Sequence, residues 1–381
     1  MSPSAPLSED LQQASRALRV RGALRLLLLL VLLLLATWGL ESVQADLRLA
    51  SLLYDAQQGW YLSEAQPWRW LYQWGTVPGF LFMLGAWFLW YRGFQHEQWA
   101  RWRPYLLTYA LIPILGAGIL VNGILKEHTG RPRPREVQQF GGPWTYQPPL
   151  TLGVPGKGRS FPCGHCTMGF VFSTGVVFWN HSRKLALGFL GLGLGYGALM
   201  SMARMAQGGH FFTDALWALG SLWIVMLILY DWILQPPVAE QRLRPMTSQA
   251  KRRLGVGLLV ALGVMLGLYL TRRPFYEDHI RSLKVAPGVQ QIEILSSVAP
   301  EHWKVQEAPG DQLVLEVEAR GFALPDSDHY LDWKILEPEP ILRLEVFTRT
   351  EGFFAELGEQ ARIEVPRSLL SETRIALTSS E

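Results

Sequence analysis

Cysteine and charge are both scarce in this chain. Two cysteines among 381 residues leave no disulfide framework to build on. Charged residues make up 18%, against about 25% in a soluble globular domain, while 49% of the chain is apolar. Those proportions exclude intrinsic disorder and argue against an ordinary cytosolic enzyme. There is no internal repeat, and the only low-complexity stretch is a poly-leucine run. The near-neutral total charge hides a division. Residues 1–270 hold 23 Lys/Arg against 12 Asp/Glu, and residues 271–381 hold 12 against 20. A basic, apolar front part of +11 therefore precedes an acidic, polar tail of −8, two bodies built for different solvents.

Long apolar runs are what the chain has in excess. Leu26–Leu35 contains no polar residue at all. Membrane spans are expected at about Leu26–Leu40, Val77–Tyr91, Tyr105–Leu125, His165–Asn180, Leu185–Met202, Ala215–Leu234 and Leu254–Leu270. Those shorter than the ~20 residues a spanning helix needs are expected to extend into their polar flanks. The fifth carries Gly188, Gly191, Gly193, Gly195 and Gly197, small residues that let helices approach closely, and is expected to be buried among the others. Trp60, Trp68, Trp70, Trp74, Trp87 and Trp90 read as an interfacial belt around the second span. After Arg273 the pattern turns to short alternating runs, Gln291–Ile294, Leu313–Glu318, Leu331–Ile335, Ile341–Phe347 and Arg362–Val365, a strand period with turn punctuation.

The predicted fold class is an all-α multi-pass membrane helical bundle, with six spans in a core and a seventh beyond it, followed by a small β-rich C-terminal domain. The organisation reads as a cytoplasmic tail over residues 1–21, a membrane core over 22–235, a cytoplasmic loop and seventh span over 236–270, and a β-rich domain over 271–381. With the N-terminus inside, the inner segments 1–25, 92–104, 181–184 and 235–253 hold 14 Lys/Arg, whereas the outer loop 41–76 holds two, as the positive-inside rule requires. Two outer segments break the rule: Arg272–Arg273 after the last span, which count against a seventh span, and residues 126–160 with six basic residues, whose charges call for a functional reason. A cleaved signal peptide, with Val43-Gln44-Ala45 as its processing site, stays open as a second reading of the first span.

Three stretches carry the chemistry. The first runs Lys126-Glu127-His128-Thr129-Gly130-Arg131-Pro132-Arg133-Pro134, the second Ser160-Phe161-Pro162-Cys163-Gly164-His165, and the third Ala203-Arg204 through Gly208-Gly209-His210 to Asp214. In the topology above all three lie at the outer ends of spans, where Lys126, Arg133, Arg204, His165, His210 and Asp214 can converge. Three fixed cations suit a dianionic phosphate and the charge on phosphoryl oxygens in a transition state. A neutral histidine can attack phosphorus, and a second, protonated, can give its proton to the leaving alkoxide. His210 and Asp214 are four apart, hence expected on one helical face, with the carboxylate orienting the imidazole. Gly208-Gly209 breaks the helix before His210, and Gly164 opens the fourth helix, offering backbone N–H groups to an anion.

These stretches resemble the three signatures of the type 2 phosphatidic acid phosphatase family: K-x6-R-P in Lys126, Arg133 and Pro134; P-S-G-H in Pro162, Gly164 and His165; and S-R-x5-H-x3-D in Arg204, His210 and Asp214. The resemblance covers roughly residues 45–235. It implies a metal-independent lipid phosphatase without cofactor, with His210 as nucleophile, Asp214 as its partner and His165 as general acid. Lys126, Arg133 and Arg204 would hold the phosphate, with Cys163 and Gly164 beside them. Cys163 stands where the family has Ser, and a thiol is the weaker donor; Ala203 stands where Ser is usual. Arg131-Pro132 repeats the Arg-Pro pair out of register, and for Arg131 and His128 structural and functional roles stay open. Arg135, Lys157 and Arg159 read as lipid-headgroup contacts.

The implied substrate is a lipid bearing a phosphate monoester or pyrophosphate: lipid A, undecaprenyl pyrophosphate, phosphatidylglycerol phosphate or phosphatidic acid. The expected setting is a bacterial inner membrane with the site and the C-terminal domain periplasmic. Membrane lipids are the expected partners and nucleic acid is not; nothing in the sequence names a partner for the C-terminal domain. Phosphotransfer to another lipid's hydroxyl uses the same phosphohistidine and stays open. The distant rival is a membrane thiol-disulfide oxidoreductase on Cys163-Gly164-His165-Cys166, which lacks the βαβ context that chemistry usually has. The same pair can instead oxidise in a disulfide-permissive compartment. A transporter would place ionisable residues mid-span, whereas here they gather at span ends.

Overall fold

The poly-leucine run lies in the second half of a 34-residue helix, α1 (Glu9–Ser42). The expected span began only at Leu26. The helix starts earlier because neither glycine nor proline interrupts the polar stretch before Gly22, and Glu9 and Asp10 suit the positive end of its dipole. The structure is a computed structural model that describes residues 8–142, 144–153, 158–243, 245–271, 273–285, 289–298, 302–308, 312–323, 327–337, 340–351, 356–367 and 374–379. It divides into two units, residues 1–140 with 144–258, and residues 141–143 with 259–381.

The first unit is helical. After α1 come α2 (Ala45–Ser51), α3 (Trp68–Trp74), α4 (Val77–Arg92), α5 (Glu97–Ala100), α6 (Arg103–Ile112), α7 (Lys126–Thr129), α8 (Gly164–Phe170), α9 (Arg183–Ala206), α10 (Phe212–Leu227), α11 (Pro236–Glu240) and the start of α12 (Ser248–Thr271). α6 runs on as a π-helix through Leu125, α8 as a 3-10 helix through Phe178 and α10 as a π-helix through Ile233. Among the described residues four helices are long and apolar enough to cross a membrane: Glu9–Ser42, Arg103–Leu125, Arg183–Ala206 and Phe212–Ile233. The other expected spans are also helical, in α4, in α8 with its continuation and in α12. Leu28, Leu32, Leu35 and Trp38 of α1 are exposed, an apolar surface that acyl chains, not water, would cover.

Polar ties fix α1 on α10. Trp217 Nε1 donates to Thr37 Oγ1 at 2.9 Å, Arg25 meets Asp231 at 3.1 Å, and Gly220 leaves room for Leu33. α9 corrects an expectation. Gly193 and Gly197, four residues apart, pack against Ser173 and Phe170, but Gly188, Gly191 and Gly195 face open space and Leu187, Leu192 and Leu199 are exposed. Only one face of this helix needs small residues, so it borders the bundle. Trp60 also leaves the expected belt, packing on Tyr54, Phe140 and Gly208.

The second unit is a β-sandwich. One sheet has the order β1 (Arg273–Lys284), β4 (Gln312–Ala323), β7 (Glu356–Pro366), β3 (Trp303–Ala308); the other has β5 (Asp328–Glu337), β6 (Ile341–Glu351), β2 (Gln291–Ser296), β8 (Arg374–Ser379). β1–β4, β4–β7 and β5–β6 pair antiparallel; β3–β7, β2–β6 and β2–β8 pair parallel. Alternate residues face inward. Leu313, Leu315 and Val317 of one sheet meet Ile292, Ile294, Leu342, Leu344 and Val346 of the other in one buried cluster. All five expected strands fall within this set, and β1, β3 and β8 are additional.

Candidate active site

The third stretch folds as a helix end, a turn and a helix start. α9 stops at Ala206, and Gly208 takes a left-handed φ of +59° with Trp60 so close that a Cβ would strike its ring. Only glycine meets both demands. His210 follows in the turn, just before α10, so it does not share a helical face with Asp214 as the spacing suggested. Asp214 instead caps α10, its Oδ2 accepting from the Phe211 N–H at 2.8 Å and from Ser160 Oγ at 2.6 Å.

That arrangement changes which group orients the imidazole. Nδ1 of His210 lies 2.6 Å from the Ser160 carbonyl oxygen and 3.6 Å from Asp214 Oδ2. A carbonyl can only accept, so Nδ1 carries the proton and Nε2 is left unprotonated. Burial, helped by the charges of Arg204 and Lys126, outweighs the neighbouring Asp214 carboxylate and lowers the His210 pKa to about 4. The ring is therefore neutral at physiological pH.

The second stretch is drawn to the same place. The Cys163 N–H donates to the Asp214 carbonyl at 3.1 Å. Gly164 is the first residue of α8, and a Cβ there would run into Asn122 Oδ1, so a side chain at this position would displace the Asn122 amide. His165 stacks on Tyr72 with ring centroids 5.8 Å apart, and the Arg204 guanidinium lies 4.6 Å from the same ring. Cys163 corrects the thiol-donor expectation. Its sulfur is bonded to that of Cys166 and accepts the Cys166 N–H at 3.2 Å, so it has no S–H to offer a phosphate. Both cysteines have no exposed surface, and thiol exchange needs access to a sulfur.

Three arginines complete the cluster. Arg133 Nη1 lies 3.9 Å from Glu136, and the Arg133 N–H donates to the same carboxylate at 2.7 Å. Arg135, read as a headgroup contact, instead turns inward: its N–H donates to the Gly208 carbonyl at 3.1 Å. Burial, then the charges of Arg133 and Arg204, lower its pKa to about 10. The Nε atoms of Arg133, Arg135 and Arg204 are buried without a hydrogen-bond partner. Buried donors left over in this way suit an anionic ligand. His128 is exposed, with Nδ1 bonded to the Ile124 carbonyl at 2.7 Å, a structural role. Lys157 lies outside the described residues.

Asp214 thus lies beside His210, Lys126 and Arg204 act on the His210 ring through their charge, Arg204 and His165 both meet the Tyr72 ring, and the charges of Arg133 and Arg204 act on Arg135. It adds residues that sequence reasoning missed. Ser160 binds both members of the pair, by hydroxyl to Asp214 and by carbonyl to His210. The Tyr72 ring meets both Arg204 and His165, and Arg131 donates to Asp214 Oδ1 at 2.5 Å. The second Arg-Pro pair was the available signal for Arg131. The Ser160 carbonyl had none, because any residue supplies one.

Comparison with known proteins gives concordant results. Residues 101–236 match the model of the PAP2 superfamily. A stretch of 155 residues is 32% identical to a lipid A 4'-phosphatase of Francisella tularensis subsp. novicida (strain U112), covering 39% of this chain and 67% of that protein. No solved structure matches the chain.

Proposed function

Since the chain belongs to the PAP2 superfamily and is a membrane lipid phosphatase, we propose that it hydrolyses a lipid phosphate monoester through a phosphohistidine on His210, without a metal. A phosphosugar lipid of the lipid A kind is the first candidate, because the relative above is a lipid A 4'-phosphatase; a lipid pyrophosphate offers the same phosphoryl group. One observation carries the reading. His210 is a buried, neutral imidazole whose Nδ1–H is tied to a carbonyl, with Lys126 and Arg204 close enough to affect its charge.

The chemistry follows from that geometry. Lys126, Arg133 and Arg204, with Arg135 and the amides at the start of α8, take up the phosphoryl oxygens and the charge they gain in the transition state. Nε2 of His210 attacks phosphorus while the lipid alkoxide leaves and takes a proton from His165. Water then gives a proton back to His165 as its oxygen attacks the phosphohistidine, releasing inorganic phosphate and the free imidazole. The Asp214 carboxylate opposes the positive charge that the ring carries in between. The basic residues of the inner segments orient the bundle with this site at the outer, periplasmic face of a bacterial inner membrane.

The test is phosphate release by the purified protein, with chelator present, across a panel of lipid A, lipid pyrophosphate, phosphatidylglycerol phosphate and phosphatidic acid. Turnover of one class that persists in chelator and vanishes in His210→Ala is expected. Turnover that needs added metal, or that survives in His210→Ala, contradicts the reading.

A further inference from the structure

Arg131 is the residue whose surroundings most exceed what the mechanism uses. Its guanidinium is 1% exposed and sits between two buried carboxylates. Nη1 donates to Asp214 Oδ1 at 2.5 Å and to Thr213 Oγ1 at 2.9 Å, Nη2 donates to Asp46 Oδ2 at 2.7 Å, and Nε donates to the Gln147 carbonyl at 3.0 Å. The rings of Phe211 and Tyr146 lie 4.7 and 5.7 Å from it. Asp46 is itself 1% exposed and belongs to α2, just beyond the end of α1. Its Oδ1 accepts the Thr213 N–H at 2.9 Å, inside the first turn of α10.

From this geometry we infer that Arg131 is a positioning residue for the phosphatase reaction, which sets the charge and orientation of Asp214, with Asp46 as the counter-charge that tunes it. The inference rests on the phosphohistidine reading above, because it concerns the carboxylate that faces His210. Asp214 spends Oδ2 on Ser160 and the Phe211 N–H, so Oδ1 needs a partner of its own. A guanidinium supplies a fixed positive charge in a rigid fork. Burial works against that charge, but Asp214 and Asp46 together raise the Arg131 pKa above its ordinary value, so it stays charged throughout turnover. The groups facing this cluster are Asp214, Asp46, His210, Tyr146 and, through Tyr146, Glu41 at 3.0 Å. Asp46 competes with Asp214 for one cation. Its strength therefore decides how much of that cation acts on the carboxylate beside the reacting ring.

The competition gives a signature that a scaffold role does not. Removing the guanidinium lets Asp214 take up a proton at higher pH, and removing the Asp46 charge gives Arg131 wholly to Asp214 and does the reverse. The experiment is the pH profile of kcat and KM for lipid phosphate hydrolysis by the full chain in detergent, for wild type, Arg131→Gln, Arg131→Lys, Asp46→Asn and the double variant, with His210→Ala as reference. Arg131→Gln is expected to lose about 10²-fold in kcat with little change in KM and to move the acid limb to higher pH. Arg131→Lys regains part of the rate. Asp46→Asn moves the limb to lower pH with a smaller loss, and the double variant turns over faster than Arg131→Gln. If Arg131→Gln does not fold, the opposite shifts are read from Asp46→Asn and Arg131→Lys. Limbs that stay put, or shift together, with His210→Ala inactive overturn the positioning role alone. Full activity in His210→Ala overturns the phosphohistidine reading instead.

Discussion

The two units bury polarity in opposite ways. In the β-sandwich the interior is apolar almost throughout, Leu313, Leu315 and Ile363 against Ile292, Ile294 and Leu344. His329 is an exception, bonded to Glu359 through Nε2 and to His279 through Nδ1, each at 3.0 Å. In the helical unit Asp46, Arg131, Ser160, His210, Thr213 and Asp214, all buried, are joined by hydrogen bonds in one cluster, and the buried Asp231 pairs with Arg25 elsewhere. Burying a charge costs several kcal/mol unless it is paired and hydrogen-bonded, so a concentration of such groups is not a way to gain stability. In the helical unit it marks the place that the proposed chemistry would use.

That contrast can be broken from either side. The largest effect belongs to His210→Ala, which is expected to abolish phosphate release while the protein still elutes as a folded species. Asp214→Asn comes next, with a loss of about 10³–10⁴ in kcat because the charge that opposes the imidazolium is removed and the hold on Ser160 is weakened, read by steady-state assay on the same lipid. Arg204→Ala is expected to cost about 10²–10³, the range for removing one transition-state donor. On the other side, Ile363→Ala, in a fully buried position of β7, should destabilise the sandwich by about 2–5 kcal/mol and leave kcat unchanged. A fall in kcat that matches the fall in stability would show that the sandwich serves the site after all.

The smallest effect is a pH dependence of stability. The His210 pKa falls from an ordinary 6.5 to about 4 on folding, so between those values the unfolded chain binds more protons than the folded one. Stability from this group is fully present above pH 6.5 and is lost as pH falls towards about 4. Thermal melts across that window should show a steeper decline for wild type than for His210→Gln, which has no proton to bind.

The helices were legible in the sequence because the apolar runs that form them are local signals, and the spacings around Lys126, Arg204, His210 and Asp214 pointed to the residues now proposed for the site. The strands that escaped, β1, β3 and β8, all lie at sheet edges, where one side lacks a neighbour and the apolar alternation is weakest. What escaped in the site was tertiary. Asp46 reaches Arg131 across 85 positions of the chain, and no local pattern joins an acid beyond one helix to an arginine before another. The second Arg-Pro pair was visible, but which of two arginines pairs with Asp214 and which with Glu136 is decided by packing. The helical-face argument for His210 and Asp214 failed because Gly208 delays the new helix until Phe212.

The central claim is that Nε2 of His210 carries the phosphoryl group. Rapid acid-free quenching of the enzyme with a lipid labelled in its phosphate, followed by peptide mapping, tests it most directly. The account predicts an acid-labile, base-stable label on His210 that disappears when unlabelled substrate is added in excess and is absent from His210→Ala. Label on another residue, or its persistence in that variant, would contradict it.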